Sequence, residues 1–185
     1  MNHLNRRNFL MGTVAFGGLI ALSLPALALD PAKLAMAPAI GEMAMGPADA
    51  KVTVIEYISA SCPHCAAFYT DVFGTLKKEY IDTGKIRFVM REFPHNDAAM
   101  AAFMVARCAP KEAYFPLIDI FFTTQDTWLA SPREGLLNIA KQAGFTEESF
   151  DKCLKDEKVA RGIMEVRSQA EGFGVTGIPT FFING

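Results

Sequence analysis

The sequence predicts an α/β fold in which a strand–helix–strand unit is separated from a last strand by a block of helices. Three observations carry this. The β-branched run Val52-Thr53-Val54-Ile55-Glu56-Tyr57-Ile58 leads almost directly into Cys62-Pro63-His64-Cys65, which opens a helical pattern. Apolar residues then recur at helical spacing over much of residues 95–172. A second β-rich run, Thr180 to Ile183, follows Gly172, Gly174 and Gly177. At 185 residues, with 51% hydrophobic and 21% charged residues, the chain has the composition of one globular domain or one domain with an insertion. A formal net charge of −2 gives no polyanion-binding surface, so nucleic acid is not an expected partner.

Residues 1–28 read as a targeting segment rather than as fold. Arg6 and Arg7 precede any acid, Phe9 to Leu24 is apolar, and Ala26 and Ala28 have the small-x-small spacing of a signal-peptidase site. The apolar run is short for a stable span, which needs about 20 residues. The alternative is a retained N-terminal anchor. Asn5-Arg6-Arg7-Asn8-Phe9-Leu10 resembles the twin-arginine export signal. Export places the chain in an oxidising compartment, the periplasm, where paired thiols become disulfides. Residues 29–45, rich in Ala, Met, Pro and Gly without a clear period, read as a leader, with Gly46-Pro47-Ala48-Asp49 as a turn.

The first half of the α/β unit spans residues 46–94. After the strand at 52–58, residues 63–80 carry Phe68, Val72, Leu76 and Tyr80 at a spacing of four, and Thr83-Gly84 closes that helix. Ile86 to Phe93 is the next strand, stopped by Pro94. The helical block at 95–172 begins with Met100, Phe103, Met104 and Cys108 on one face. Lys111 to Thr123 is apolar around most of its circumference, which predicts deep packing. Helices from Pro132, from Thr146 and from about Val159 follow. Residues 173–185 return to strand and end at Asn184-Gly185, a hairpin-turn signal. A hairpin needs a second strand, so the expectation is a fragment that lacks a C-terminal strand and helix.

Cys62 and Cys65 lie three apart at a helix start, on one face and close enough to form a disulfide. Free backbone N–H groups and the helix dipole favour a thiolate at the first cysteine. Pro63 has no N–H to waste in the first turn, and His64 adds positive charge or a donor. The dipole contributes about 0.3–1 kcal/mol, so a strongly acidic thiol also needs direct hydrogen bonds. A stabilised thiolate stabilises the reduced pair and makes its disulfide an oxidant. The alternatives are a structural disulfide or half of a metal site, although no second Cys-x-x-Cys completes four ligands. Glu56, six residues before Cys62 in an apolar strand, could exchange a proton with Cys65 if buried, or could face water at an edge. Cys108 and Cys153 read as a structural bridge closing a long loop, or as buried free thiols. Pro179 starts a strand after Gly177 and by composition alone has no function.

Three segments together resemble the bacterial DsbA family of thiol:disulfide oxidoreductases in the thioredoxin superfamily. They are Gly46 to Tyr57, the Cys62–Cys65 motif, and Gly177-Ile178-Pro179-Thr180-Phe181-Phe182-Ile183-Asn184-Gly185. The resemblance implies a thioredoxin fold interrupted by an inserted helical domain. It makes Cys62 the attacking and Cys65 the resolving cysteine, with His64 between them. It puts the family's acid at Glu56 and its cis-proline at Pro179, in a loop that holds substrate backbone, so Ile178 and Pro63 become substrate-contacting candidates. Ile178 stands where Thr or Val is usual. A second disulfide in the helical domain, found in some members, falls on Cys108 and Cys153. The implied function is oxidation of reduced exported proteins by a monomer that uses no cofactor or metal and is reoxidised by a quinone-linked membrane protein. Two other functions fit a Cys-x-x-Cys: a disulfide isomerase or reductase, and a copper- or zinc-binding protein. Isomerases usually dimerise through an N-terminal domain, for which residues 29–45 are too few.

Overall fold

The computed structural model describes residues 30–185; the targeting segment expected at 1–28 lies outside the described residues. A four-stranded mixed sheet has the order β1 (Met43–Met45), β3 (Ile86–Glu92), β2 (Val52–Ile58), β4 (Thr180–Ile183). Strands β2 (Val52–Ile58) and β3 (Ile86–Glu92) are its parallel centre, with Val54 beside Phe88 and Glu56 beside Met90. Their β-branched and aromatic residues suit strands covered on both faces. Strand β4 (Thr180–Ile183) runs antiparallel to β2, with Glu56 opposite Phe181.

The expectation of a leader at 29–45 is corrected. Residues Pro31–Ala35 form a short helix, α1, capped by Asp30, whose carboxylate accepts from the Ala32 N–H. Met43–Met45 is an edge strand, β1, antiparallel to β3. A three-residue Met-Ala-Met strand is too short to show a period, and its partner lies more than 40 residues away. Buried Arg91 pins this segment. Its guanidinium donates to the carbonyls of Leu34 and Met36, to the Tyr57 hydroxyl and to Glu42. Arg107 donates to the Gly41 carbonyl and pairs with buried Glu92, which also accepts from Tyr114. Gly46, at φ +81°, makes the turn out of β1, where a Cβ would collide with the Ile86 carbonyl.

Between β2 and β3 the chain forms one helical run over 63–81, named α2. It starts as an α-helix (Pro63–Phe68) and contains two π-helical stretches, Tyr69–Phe73 and Lys77–Ile81. The buried stripe is Cys65, Tyr69, Phe73 and Ile81, not the Phe68–Val72–Leu76–Tyr80 series expected; Val72 and Tyr80 are exposed. Cys65, Tyr69 and Phe73 are also four apart, so spacing alone cannot choose between the two series, although Lys77, the next position, is exposed. The π-helical stretch Tyr69–Phe73, wider than 3.6 residues per turn, keeps Cys65, Tyr69 and Phe73 on the face packed against the sheet.

The helices after β3 are α3 (Asp97–Cys108), α4 (Tyr114–Thr123), α5 (Gln125–Ala130), α6 (Pro132–Gln142), α7 (Glu147–Leu154) and α8 (Glu157–Gly172). Phe103, Tyr114, Phe121, Trp128 and Phe150 fill a core continuous with the α2 side of the sheet. Trp128 donates its indole N–H to the Phe121 carbonyl. Cys108 and Cys153 are joined in a disulfide that ties α3 to α7. The sequence pattern ends the helical insertion at 172, but α8 belongs equally to the sheet. Its Val166 and Ala170 cover Ile55, Tyr57 and Val89 on the face away from α2. No helix among the described residues is long and apolar enough to cross a membrane.

Candidate functional site: a dithiol at the mouth of α2

Strand β2 ends at Ile58, and residues 59–61 turn the chain into α2. The Cys62 N–H closes that turn on the Ser59 carbonyl at 3.0 Å. Cys62 is the N-cap, in an extended conformation, and Pro63 takes the first helical position. The helix's first bond runs from the Ala66 N–H to the Cys62 carbonyl. Cys62 therefore sits at the N-terminal end of the helix, beside its first, unpaired backbone N–H groups.

The two thiols are free and differ in depth. Cys62 retains 6% exposure and Cys65 none. Burial is the main cause that pushes the Cys65 thiol well up, and the nearby Cys62 and Glu56 push it further, while a backbone N–H donated from Ser59 opposes them. Cys65 thus stays protonated when the pair is reduced. Glu56 projects from β2 to the same side, fully buried, with neither carboxyl oxygen hydrogen-bonded within the protein. Burial raises its carboxyl well above the ordinary value of 4.5. A protonated acid beside a buried thiol can exchange a proton with it.

The loop before β4 closes the other side. The Ile178–Pro179 bond is cis, and the Ile178 carbonyl is 3.7 Å from Cys62 Sγ. Ile178 and Pro179 are half-buried, whereas Pro63 and His64 are exposed at the rim. The structure thus brings together Glu56, Cys62, Pro63, His64, Cys65, Ile178 and Pro179. The Cys108–Cys153 bridge lies apart, in the helical block.

Sequence reasoning missed the polar residues that hold the 59–62 loop. Gln125, at the start of α5, donates to the carbonyls of Ala60 and Cys62 at 2.9 and 3.1 Å. On the other flank, His95 Nδ1 meets Ser59 Oγ at 2.7 Å, and Ser61 Oγ donates to Asn96 Oδ1 at 2.9 Å. Asn96 also caps α3 by accepting from the Ala99 N–H. Only the Asn96 cap leaves a local sequence signal; the other contacts join residues 35 to 65 positions apart.

A parallel β2–α2–β3 unit with a Cys-x-x-Cys at the helix mouth and a cis-proline loop facing it defines a thioredoxin-fold dithiol protein. Residues 39–185 match the family profile described as Thioredoxin. Among solved structures, Wolbachia pipientis alpha-DsbA1 superposes with a TM-score of 0.74 at 31% identity, over 82% of this chain and 78% of that one. Chlamydia trachomatis DsbA, at 21% identity and TM-score 0.65 over 76% and 80% of the chains, shares the fold. A Rickettsia bellii protein, named by inference a protein-disulfide oxidoreductase, is 39% identical over 150 residues, covering 78% of this chain and 57% of its own length. The chain spans little more than half the length of the Rickettsia relatives it matches. The chain belongs to the DsbA family of the thioredoxin superfamily.

Proposed function

We propose that this chain oxidises thiols of exported proteins by passing on a Cys62–Cys65 disulfide. The observation that carries the reading is the asymmetry of the pair: Cys62 caps the helix with a trace of exposure, and Cys65 is sealed beneath it, within the electrostatic reach of buried Glu56. In the oxidised protein, a client thiolate attacks Cys62 Sγ. The Cys62–Cys65 bond breaks, a client–Cys62 bond forms, and Cys65 leaves with the electron pair. Cys65 takes a proton, and Glu56 is the group placed to give it. A second client thiolate then attacks the client sulfur of the mixed disulfide and expels the Cys62 thiolate. The client dithiol has lost two electrons and the Cys62–Cys65 pair has gained them.

The cis-Pro179 loop is the surface for client backbone, with Ile178 and Pro63 flanking the attacked sulfur and His64 beside it. Reoxidation by a quinone-linked membrane protein and residence in the periplasm accompany this reading, supported by the basic and apolar start of the sequence. The test uses a reduced protein client and two variants. Cys62→Ser is expected to abolish client oxidation and to form no mixed disulfide. Cys65→Ser is expected to accumulate a client–Cys62 adduct visible by mass. Adduct formation through Cys65 in the Cys62→Ser protein would overturn the assignment.

A further inference from the structure

The redox loop is held by a side chain from the helical block. Gln125 is 6% exposed and starts α5, more than 60 residues from the loop it touches. Its single NH2 group has two N–H bonds. They fit the Ala60 carbonyl at 2.9 Å and the Cys62 carbonyl at 3.1 Å. The Cys62 carbonyl is also the acceptor of the first bond of α2. One buried amide therefore sets both the path of the chain into Cys62 and the end of the helix that faces its sulfur. A carbonyl left bare in this site would lose a partner out of reach of bulk water, which is costly. The anchor sits at the α4–α5 junction, beside a cleft of about 400 Å³ lined by Pro63, Thr70, Phe122, Thr124 and Asp126. Nothing in the thiol exchange needs Gln125 to touch a client.

We infer that Gln125 is a positioning residue: through the Ala60 and Cys62 carbonyls it fixes Cys62 on the α2 terminus, and so makes the reactivity of the dithiol depend on where the helical block sits. The inference rests on the exchange reading only for its meaning to clients, because Cys62 reactivity is measurable without one. Gln125→Leu removes both donors at similar volume. Gln125→Glu keeps the shape and sets acceptors against two carbonyls. In each, alkylation of Cys62 at mildly acidic pH is expected to slow about fivefold, the scale of one net hydrogen bond. The equilibrium with glutathione is expected to move by a similar factor towards the protein disulfide, because the reduced form loses more than the oxidised form.

A role confined to structure would lower the denaturation midpoints of both redox forms equally and leave alkylation and the glutathione equilibrium unchanged; that result overturns the inference. Should both variants fail to fold, the wild-type protein decides. The Gln125 side-chain amide resonance is expected to be protected from hydrogen exchange and to shift when the pair is reduced. Exchange as fast as an exposed glutamine, with no shift, overturns it. Absence of client oxidation by the wild-type protein would sink the exchange reading while leaving these measurements intact.

Discussion

Glu56 is the residue on which function and stability conflict. Its carboxyl is buried without a partner, so the folded state holds its proton more tightly than the unfolded chain does. The sign follows from linkage. Where the native state binds more protons, stability falls as pH rises, starting from the ordinary carboxyl value and continuing up to the raised one. Glu56→Leu is expected to flatten that decline and to raise the unfolding free energy by about 1–3 kcal/mol at neutral pH. Urea denaturation at several pH values measures it. The same variant is expected to slow release of Cys65 from the disulfide, seen as slower client oxidation. A gain over the wild-type protein no larger at neutral pH than at pH 4 would argue against a buried, proton-holding carboxyl. Arg91 shows the opposite balance, since its buried charge is satisfied on every side. Arg91→Met is expected to cost about 3 kcal/mol, the scale for breaking a buried pair, read from the same denaturation curves.

Among the elements, those with strong local patterns were legible in the sequence. β2 and β4 match the expected runs, β3 ends one residue earlier than expected, and the Cys-Pro-His-Cys motif sits at a strand-to-helix junction. The start of α8 was misplaced by two residues because its cap, Asp156, accepts from Lys158 and Val159 outside the apolar period. β1 was illegible because pairing with β3, not its own three residues, makes it a strand. The α2 stripe was off by one position because Cys65, Tyr69 and Phe73 share the spacing of Phe68, Val72 and Leu76. Gln125 was hidden because its partners are backbone carbonyls, which leave no trace in residue type. The α3–α7 bridge closes a separation of 45 residues. The chain-entropy model gives about 4 kcal/mol for such a loop, so Cys108→Ser with Cys153→Ser is expected to lower the unfolding midpoint. Cys62 alkylation is expected to change far less, and a comparable loss of Cys62 reactivity would tie the bridge to the redox centre.

At the scale of the whole molecule, the strand left uncovered on one side among the described residues is β4. Ile183 is 63% exposed, and Phe181 is partly exposed although its ring meets Phe68 at 5.0 Å between centroids. Strand β4 pairs with β2 on one edge only among the described residues. An apolar strand with a free edge favours association with other chains. Ile183→Lys is expected to reduce self-association of the 185-residue chain in light scattering without changing Cys62 alkylation. Unchanged scattering would mean that this edge is not the sticky surface. The opposite edge strand is β1, and its docking has a consequence for timing. β1 finds its hydrogen-bond partner only in β3, and the hand that grips the preceding segment, Arg91, sits on β3 as well. As the chain emerges from N- to C-terminus, β1 is the earliest of the described strands to appear and must wait for Phe88 to Met90 before its partner exists for it to dock on.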